Sequence, residues 1–429
     1  MSDAIYPAFA AILVLSVLLI RLVYSWLWPS PIPDIPHNPI TSVWGDIPAI
    51  TAATKDGGKT FSGYVADVVA EHGSLMQILI GRNPIVVISD RKEMERLLLG
   101  GKCTDQSKRT NEIFATVVPT GQIAQPTNDT WKRHRRLTGP SMSRRYLERM
   151  SSRIATGASD LVNLWKAKSE VVGLGTFDAD LDLQLATMDA IDMIIEREAR
   201  EGAEVLGKGE LLDELLTYIF AGQDTTAASL AWLVKFLPKD VEIQRRLHNE
   251  VCAVFGPDMD SNEPMDFGLL DDHERVPVLE AVVAETLRCA GVGSLTGREL
   301  TQDETVSGRF VPKGTQLMFT TALMSSNKLE WGPDAEEWRP SRWLTPDGAF
   351  NRSAGPSVPF GLGQRSCFGQ RLAVLQVKTF VATMSRTFCF KSVPPEVDVW
   401  GAVELVTRQP KACYVSLEKW DLKALNETL

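Results

Sequence analysis

One segment concentrates reactive chemistry: PFGLGQRSCFGQRLA, residues 359–373, in which Phe360, Gly363, Arg365, Cys367 and Gly369 stand at fixed offsets. Such a glycine-rich loop delivers one cysteine to the start of a helix. The positive helix end and Arg365 both favour thiolate over thiol. Gly363 and Gly369 let the backbone approach something bulky and flat, and Phe360 is placed to shield the sulfur from water. The other cysteines (Cys103, Cys252, Cys289, Cys389 and Cys413) carry no comparable pattern and read as small buried hydrophobes. No CxxC pair occurs, which argues against a zinc ribbon or a disulfide framework.

The loop resembles the haem-thiolate loop of the cytochrome P-450 family, FxxGxRxCxG, at every fixed position. That resemblance implies haem b (iron protoporphyrin IX) as cofactor, with the Cys367 sulfur as axial iron ligand and Arg365 on a haem propionate. The family's other motifs follow in order. Ala221-Gly222-Gln223-Asp224-Thr225-Thr226 resembles the oxygen-activation motif AGxDTT. Gly222 would leave room for dioxygen. Thr225 and Asp224 would relay protons at a local opening of the helix. Trp131 and Arg135 match the propionate-binding WxxxR pattern, and Arg298 occupies the place of a further propionate-binding arginine. His134 reads as lying on the solvated helix face. Glu285 and Arg288 form ExxR, at i and i+3 on one face. Arg342, in Trp338-Arg339-Pro340-Ser341-Arg342-Trp343, would close a Glu–Arg–Arg lock that does not touch substrate.

The elements that must position these residues are mainly helical with a minor β part. Residues 75–90 read as two short strands around Gly-Arg-Asn-Pro, and Arg91 to Leu99 as a short helix. Trp131 to Lys168 is largely helical, with breaks at Gly139-Pro140 and Gly157. Leu181 to Arg200 has helical apolar spacing. A long helix runs from about Glu210 to Phe236, stopped by Pro238, with Leu211, Leu212, Leu215, Leu216, Ile219 and Phe220 on its buried face. Val241 to Phe255, Val276 to Cys289 and Gly369 to Ser385 are further helices. Residues 299–320 and the tail read as strands.

The chain has 429 residues, 44% hydrophobic and 23% charged, with a net charge of −9. This is globular composition, ample for a large core, and argues against a nucleic-acid partner. Ala4 to Ile20 is apolar and uncharged, and after Arg21 the run continues to Trp28. As one helix of about 25 residues it could cross a bilayer core of about 30 Å. Tyr24, Trp26 and Trp28 suit the interfacial belt. Residues 1–28 therefore read as a retained membrane anchor rather than a cleaved signal. Residues 29–40 read as a proline-rich linker, and 41–429 as the haem-thiolate catalytic domain. The expected location is single-pass in the endoplasmic reticulum membrane with a cytosolic body. Lys132, Arg133, Arg135, Arg136, Arg144, Arg145 and Arg149 form a basic stretch that suits an acidic electron donor. No glycine-rich phosphate-binding fingerprint follows a strand. The resemblance therefore implies a separate NADPH-dependent flavoprotein reductase, or a cytochrome b5-type donor, as electron source.

The sequence departs from the family between Trp131 and Thr225, which stand closer together than usual. The helices that roof the substrate pocket are absent around 192–209. Two readings follow. The first is a monooxygenase of fungal microsomal type that inserts one oxygen atom from dioxygen into a small lipophilic molecule, in secondary-metabolite biosynthesis. The second is an anchored haem-binding protein without productive turnover, because active-site closure depends on such a roof.

Overall fold

The computed structural model describes residues 5–173, 175–201, 206–257 and 265–420. The chain forms two compact bodies, Met1–Asp105 with Gly297–Thr320 and Gln106–Thr296 with Thr321–Leu429. Helix dominates and strands are short. Ala4 and residues 202–205, on which parts of the anchor and of the expected shortening fall, lie outside the described residues.

In the first body the helix Ile5–Leu27 leads. Its described side chains from Ile12 to Leu27 are almost all uncovered. Among the described residues no helix is long and apolar enough to cross a membrane. The proline stretch is strapped to the sheet: Ile32 and Ile35 are buried, and the Gln77 side chain donates to both of their carbonyls at 2.9 and 2.8 Å. The sheet runs Leu75–Ile80, Asn83–Ile88, Gln316–Phe319, Thr296–Leu300, Thr104–Gln106. The first pair is antiparallel with Ile80 opposite Asn83, so the turn is the two residues Gly81-Arg82. Gly81 takes φ +59°, a value that favours glycine. The turn is thus tighter than the Gly-Arg-Asn-Pro reading, and Pro84 pairs with Leu79 inside the strand.

The second body is built on three helices. Arg144–Val172 packs against both Asp180–Glu201 and Gln370–Thr387. Gly157 does not break the first of these. It falls on the buried face with Ile154, Ala158 and Leu161, where packing outweighs a glycine cost of about 1 kcal/mol. Trp165 is the centre of this contact. Its ring meets Phe177 and Phe390 edge-on at 6.0 and 6.3 Å. Its indole donates to Asp182 at 2.9 Å, and Asp182 also takes Lys168 at 2.7 Å.

The long helix expected to Phe236 is observed as Lys208–Tyr218, a wider π-type turn Ile219–Gln223, and Asp224–Phe236. From Thr226 to Phe236 every residue is buried, the mark of a core helix. Leu237–Lys239 ends it in a 3₁₀ turn at Pro238. The tail supplies strands Phe388–Lys391 and Tyr414–Lys419, paired antiparallel, and the hairpin Ala402–Glu404 with Arg408–Pro410.

Trp165→Ala should cost about 3–5 kcal/mol by opening a large cavity. Urea unfolding followed by circular dichroism measures this, and a loss below about 1 kcal/mol would show that Trp165 is not the anchor of this body.

Candidate functional site

The cysteine loop gets its shape from local backbone demands. Gly361 and Gly363 take φ +66° and +75°, positions that penalise any side chain. A 3₁₀ turn spans Gly363–Arg365, and the Cys367 amide donates to the Phe360 carbonyl at 2.8 Å, closing the loop. Gly369 then caps the helix Gln370–Thr387. The Cys367 side chain is accessible to solvent. Yet burial by surrounding protein pushes its thiol pKa up, against the Gly369 N–H and the Arg135 charge, which pull it down. A Cβ at Gly369 would meet nothing within 4 Å, so bare backbone fronts open space next to this sulfur. A cationic metal beside the sulfur would remove the thiol proton outright.

Arg135 is a cation whose charge acts on the sulfur. Arg365 faces the helix that carries Trp131 and the loop before it. Its guanidinium covers the Trp131 ring at 4.7 Å and donates to the Gln125 carbonyl at 2.9 Å and to the Gln106 side chain. Trp131 and Arg135 come from the helix Asp129–Thr138, whose Asn128 cap accepts from the Trp131 amide at 2.8 Å. Arg135 lies 4.4 Å from the Phe368 ring and 5.7 Å from that of Trp131. Its hydrogen bonds go to Gln122 Oε1 and to the Ser366 carbonyl, each at 3.3 Å. Burial lowers its pKa. A half-buried cation bonded to neutral oxygens fits an anionic group such as a propionate. The donor set thus fits a haem, with Cys367 for the iron and Arg135 and Arg365 for the propionates.

His134 corrects the sequence reading. It is fully buried, with Nδ1 2.7 Å from Glu214 Oε1. The hydrogen bond it donates to Glu214 raises its pKa against the opposing effect of burial. The helix Lys208–Tyr218 departs in part from expectation: it buries Asp213, Glu214, Thr217 and Tyr218, while Leu211, Leu215, Leu216 and Ile219 are half-buried, Leu215 and Ile219 against the core. Leu212 and Phe220, placed on the buried face by pattern, are 56% and 51% exposed. The reason is that Asp213 and Glu214 meet the loop before the helix Asp129–Thr138. Asp213 accepts from Thr120, and Glu214 from Gln122. Tyr218 stacks on Phe368 at 6.5 Å, so this helix reaches the cysteine loop.

The π-type turn Ile219–Gln223 supplies the helix opening. The Thr225 hydroxyl donates to the Ala221 carbonyl at 2.7 Å. Asp224 accepts from Thr407 and Gln409, each at 2.5 Å. A Cβ on Gly222 would lie 2.5 Å from Ile191 Cδ1, so the space kept by this glycine is filled by a side chain of the helix Asp180–Glu201.

Glu285, Arg288 and Arg342 come together as one network. Glu285 accepts from Arg288 Nε and Nη2 at 2.7 Å, Arg342 Nε at 2.8 Å, and Trp343 Nε1 and the Arg339 amide at 2.9 Å. Burial raises the Glu285 pKa, but the hydrogen bonds and charge of Arg288 win, and it lies below the usual carboxylate range. Arg298 belongs to the first body, on the strand Thr296–Leu300, where burial pushes its pKa down to about 10. Of the basic stretch, Lys132, Arg136, Arg144, Arg145 and Arg149 are exposed, while Arg133 pairs with Glu210. Gln122, Glu214, Tyr218 and Phe368 shape the site and belong to no motif. The only sequence signal was the helical spacing that places Tyr218 one turn before Gly222.

Comparison with known proteins agrees with this geometry. The family model described as Cytochrome P450 matches residues 44–195 and 177–416. The cytochrome P450 monooxygenase TRI13 of Fusarium sporotrichioides is 23% identical over 96% of this chain and 99% of its own. That alignment runs to 587 positions, so long stretches of the relative have no counterpart in these 429 residues. The cytochrome P450 monooxygenase GME11363 of Pestalotiopsis microspora is 24% identical over 92% of this chain and 96% of its own. The Hps1-dma1 cluster monooxygenase cyp3.1 of Dothistroma septosporum is 30% identical over 53% of this chain and 86% of its own.

Glu285→Gln should cost about 3–5 kcal/mol at neutral pH, by leaving buried guanidinium charge uncompensated. Because the folded pKa is depressed, the contribution is present above the unfolded value and lost as pH falls through the folded one. Urea midpoints measured against pH should therefore decline less steeply in the variant below about pH 5. Parallel acid limbs would contradict the assignment.

Proposed function

The chain belongs to the cytochrome P450 family, and from that premise we propose that it inserts one oxygen atom of dioxygen into a small lipophilic molecule of fungal secondary metabolism. It is an oxidoreductase of the monooxygenase kind, with haem as its cofactor. The observation that carries the reading is an exposed Cys367 beside the open backbone of Gly369, with the Arg135 guanidinium held on the flanking Ser366 carbonyl and Phe368 ring. Haem, when bound, supplies the redox chemistry of dioxygen.

The chain's own residues bind, orient and move protons. Cys367 Sγ would hold the iron, and Arg135 and Arg365 the propionates, with Trp131 against both guanidiniums. Thr225 and Asp224 would pass protons to the bound oxygen. For that, Thr225 must turn from the Ala221 carbonyl, or Asp224 must release Thr407 or Gln409.

Electrons would come from a separate NADPH-dependent reductase, drawn by the exposed Lys132, Arg136, Arg144, Arg145 and Arg149. The helix Ile5–Leu27 would hold the protein in the endoplasmic reticulum membrane with a cytosolic body. The apolar side chains from Ile12 to Leu27 are uncovered, which supports contact with lipid. A second reading, haem binding without productive turnover, is favoured by one observation. Leu181, Leu185, Leu212 and Phe220 are uncovered on the helices beside the π-type turn, where a roof would exclude water.

Cys367→Ala should still fold, hold little haem, and lose the thiolate signature of the reduced CO complex. A variant with an unchanged CO spectrum would sink the assignment. Thr225→Ala should divert NADPH electrons from product to peroxide by about tenfold or more, the scale of a lost proton-transfer group. Product and peroxide yields per NADPH check this. Wild-type protein that makes only peroxide, with every candidate substrate, would decide for the second reading.

A further inference from the structure

The arginine beside the cysteine loop is oriented by a chain of buried polar groups. Glu214 is fully buried. Its Oε1 accepts from the Gln122 amide at 2.7 Å and sits 2.7 Å from His134 Nδ1, and its Oε2 accepts from Gln122 Nε2 at 2.8 Å. Gln122 then turns its own Oε1 to Arg135 Nη1 at 3.3 Å, while its main-chain carbonyl takes Arg365 Nη2 at 3.4 Å. One glutamine thus touches both guanidiniums of the site.

The chemical types explain the arrangement. A side-chain amide has a donor end and an acceptor end, and either could face Arg135. A guanidinium only donates, so the acceptor end must face it. An ionised carboxylate only accepts, so it forces the donor end toward itself. A glutamine at position 214 would permit the reversed amide, which sets NH₂ against guanidinium. We infer that Glu214, seated against His134, is a positioning residue for Arg135: it fixes the sense of the Gln122 amide, and that amide sets where Arg135 presents its charge beside the cysteine loop.

The inference rests on the haem-thiolate reading, since the position of Arg135 matters there for a bound propionate and for the charge felt at the metal. A merely structural role for Glu214, joining the helices Asp129–Thr138 and Lys208–Tyr218, would change stability alone. Positioning also changes how tightly the haem is held and how readily it is reduced. A cation fixed near the metal favours the reduced state, so letting Arg135 move away favours the oxidised one.

The test uses full-length, haem-loaded protein. Gln122→Met removes the amide at similar length, changes no charge and leaves the Glu214–His134 pair in place. Haem transfer to excess apomyoglobin should be about tenfold faster than from wild type, the scale of one charge-assisted hydrogen bond. The reduction equilibrium should shift about threefold to tenfold toward the ferric state. Tenfold corresponds to about 59 mV for a one-electron couple. Glu214→Gln should shift both readings in the same direction, and if it does not fold, Gln122→Met decides alone. A Gln122→Met protein that keeps the wild-type haem-loss rate and potential, whatever its melting temperature, overturns the inference. Wild-type protein that takes up no haem overturns the haem-thiolate reading and this inference with it.

Discussion

A guanidinium withdrawn from water between two aromatic rings is the constraint around which the second body's site is organised. Arg135 lies on the face of Phe368 and close to Trp131. Ring faces and neutral oxygens return only part of the hydration such a cation gives up. What remains is attraction for negative charge, and the sulfur of Cys367 is near enough to feel it. The same cation eases the burial penalty on the thiol. One side chain therefore joins the Asp129–Thr138 helix to the cysteine loop electrostatically, and the adjoining groups hold it still: the Asn128 cap, the Gln122 amide and the Ser366 carbonyl.

Holding that cation in place has a structural consequence for the helix Lys208–Tyr218. Carboxylates can be buried only if their lone pairs are met. Asp213 and Glu214 meet that condition against Thr120, Gln122 and His134. The helix consequently turns its acidic side inward and leaves Leu212 to solvent. The π-type turn that follows leaves Phe220 uncovered too, while Tyr218 stacks on Phe368. On this helix the buried acidic pair and the exposed Leu212 go together, while Leu215 still packs against the core.

Legibility in the sequence followed the range of the interaction. The cysteine loop could be read because its shape depends on dihedral angles of its own glycines. The Glu285–Arg288 pair could be read because both lie on one face of one helix. The proline stop at Pro238 and the opening near Gly222 were likewise local. By contrast, Gln122 and Glu214 lie 92 positions apart, and Asp224 and Thr407 lie 183 apart. Neither pair leaves a mark in spacing. His134 and Leu212 were misread for the same reason: helical periodicity names a face, but the neighbour that covers it decides whether that face buries apolar or polar groups.

The sequence by itself determined the helix-rich class, the order of the motifs and the presentation of one cysteine on a glycine-built loop. Each of these follows from backbone preference or from contacts within a few residues. Only the tertiary structure decided that the Arg135 charge acts on the sulfur. It also decided that Ile191 fills the space beside Gly222, and that the Thr407–Gln409 hairpin holds Asp224. Such choices are settled by which distant groups can satisfy one another's charge and hydrogen bonds once water is removed, and that competition exists only in the packed chain.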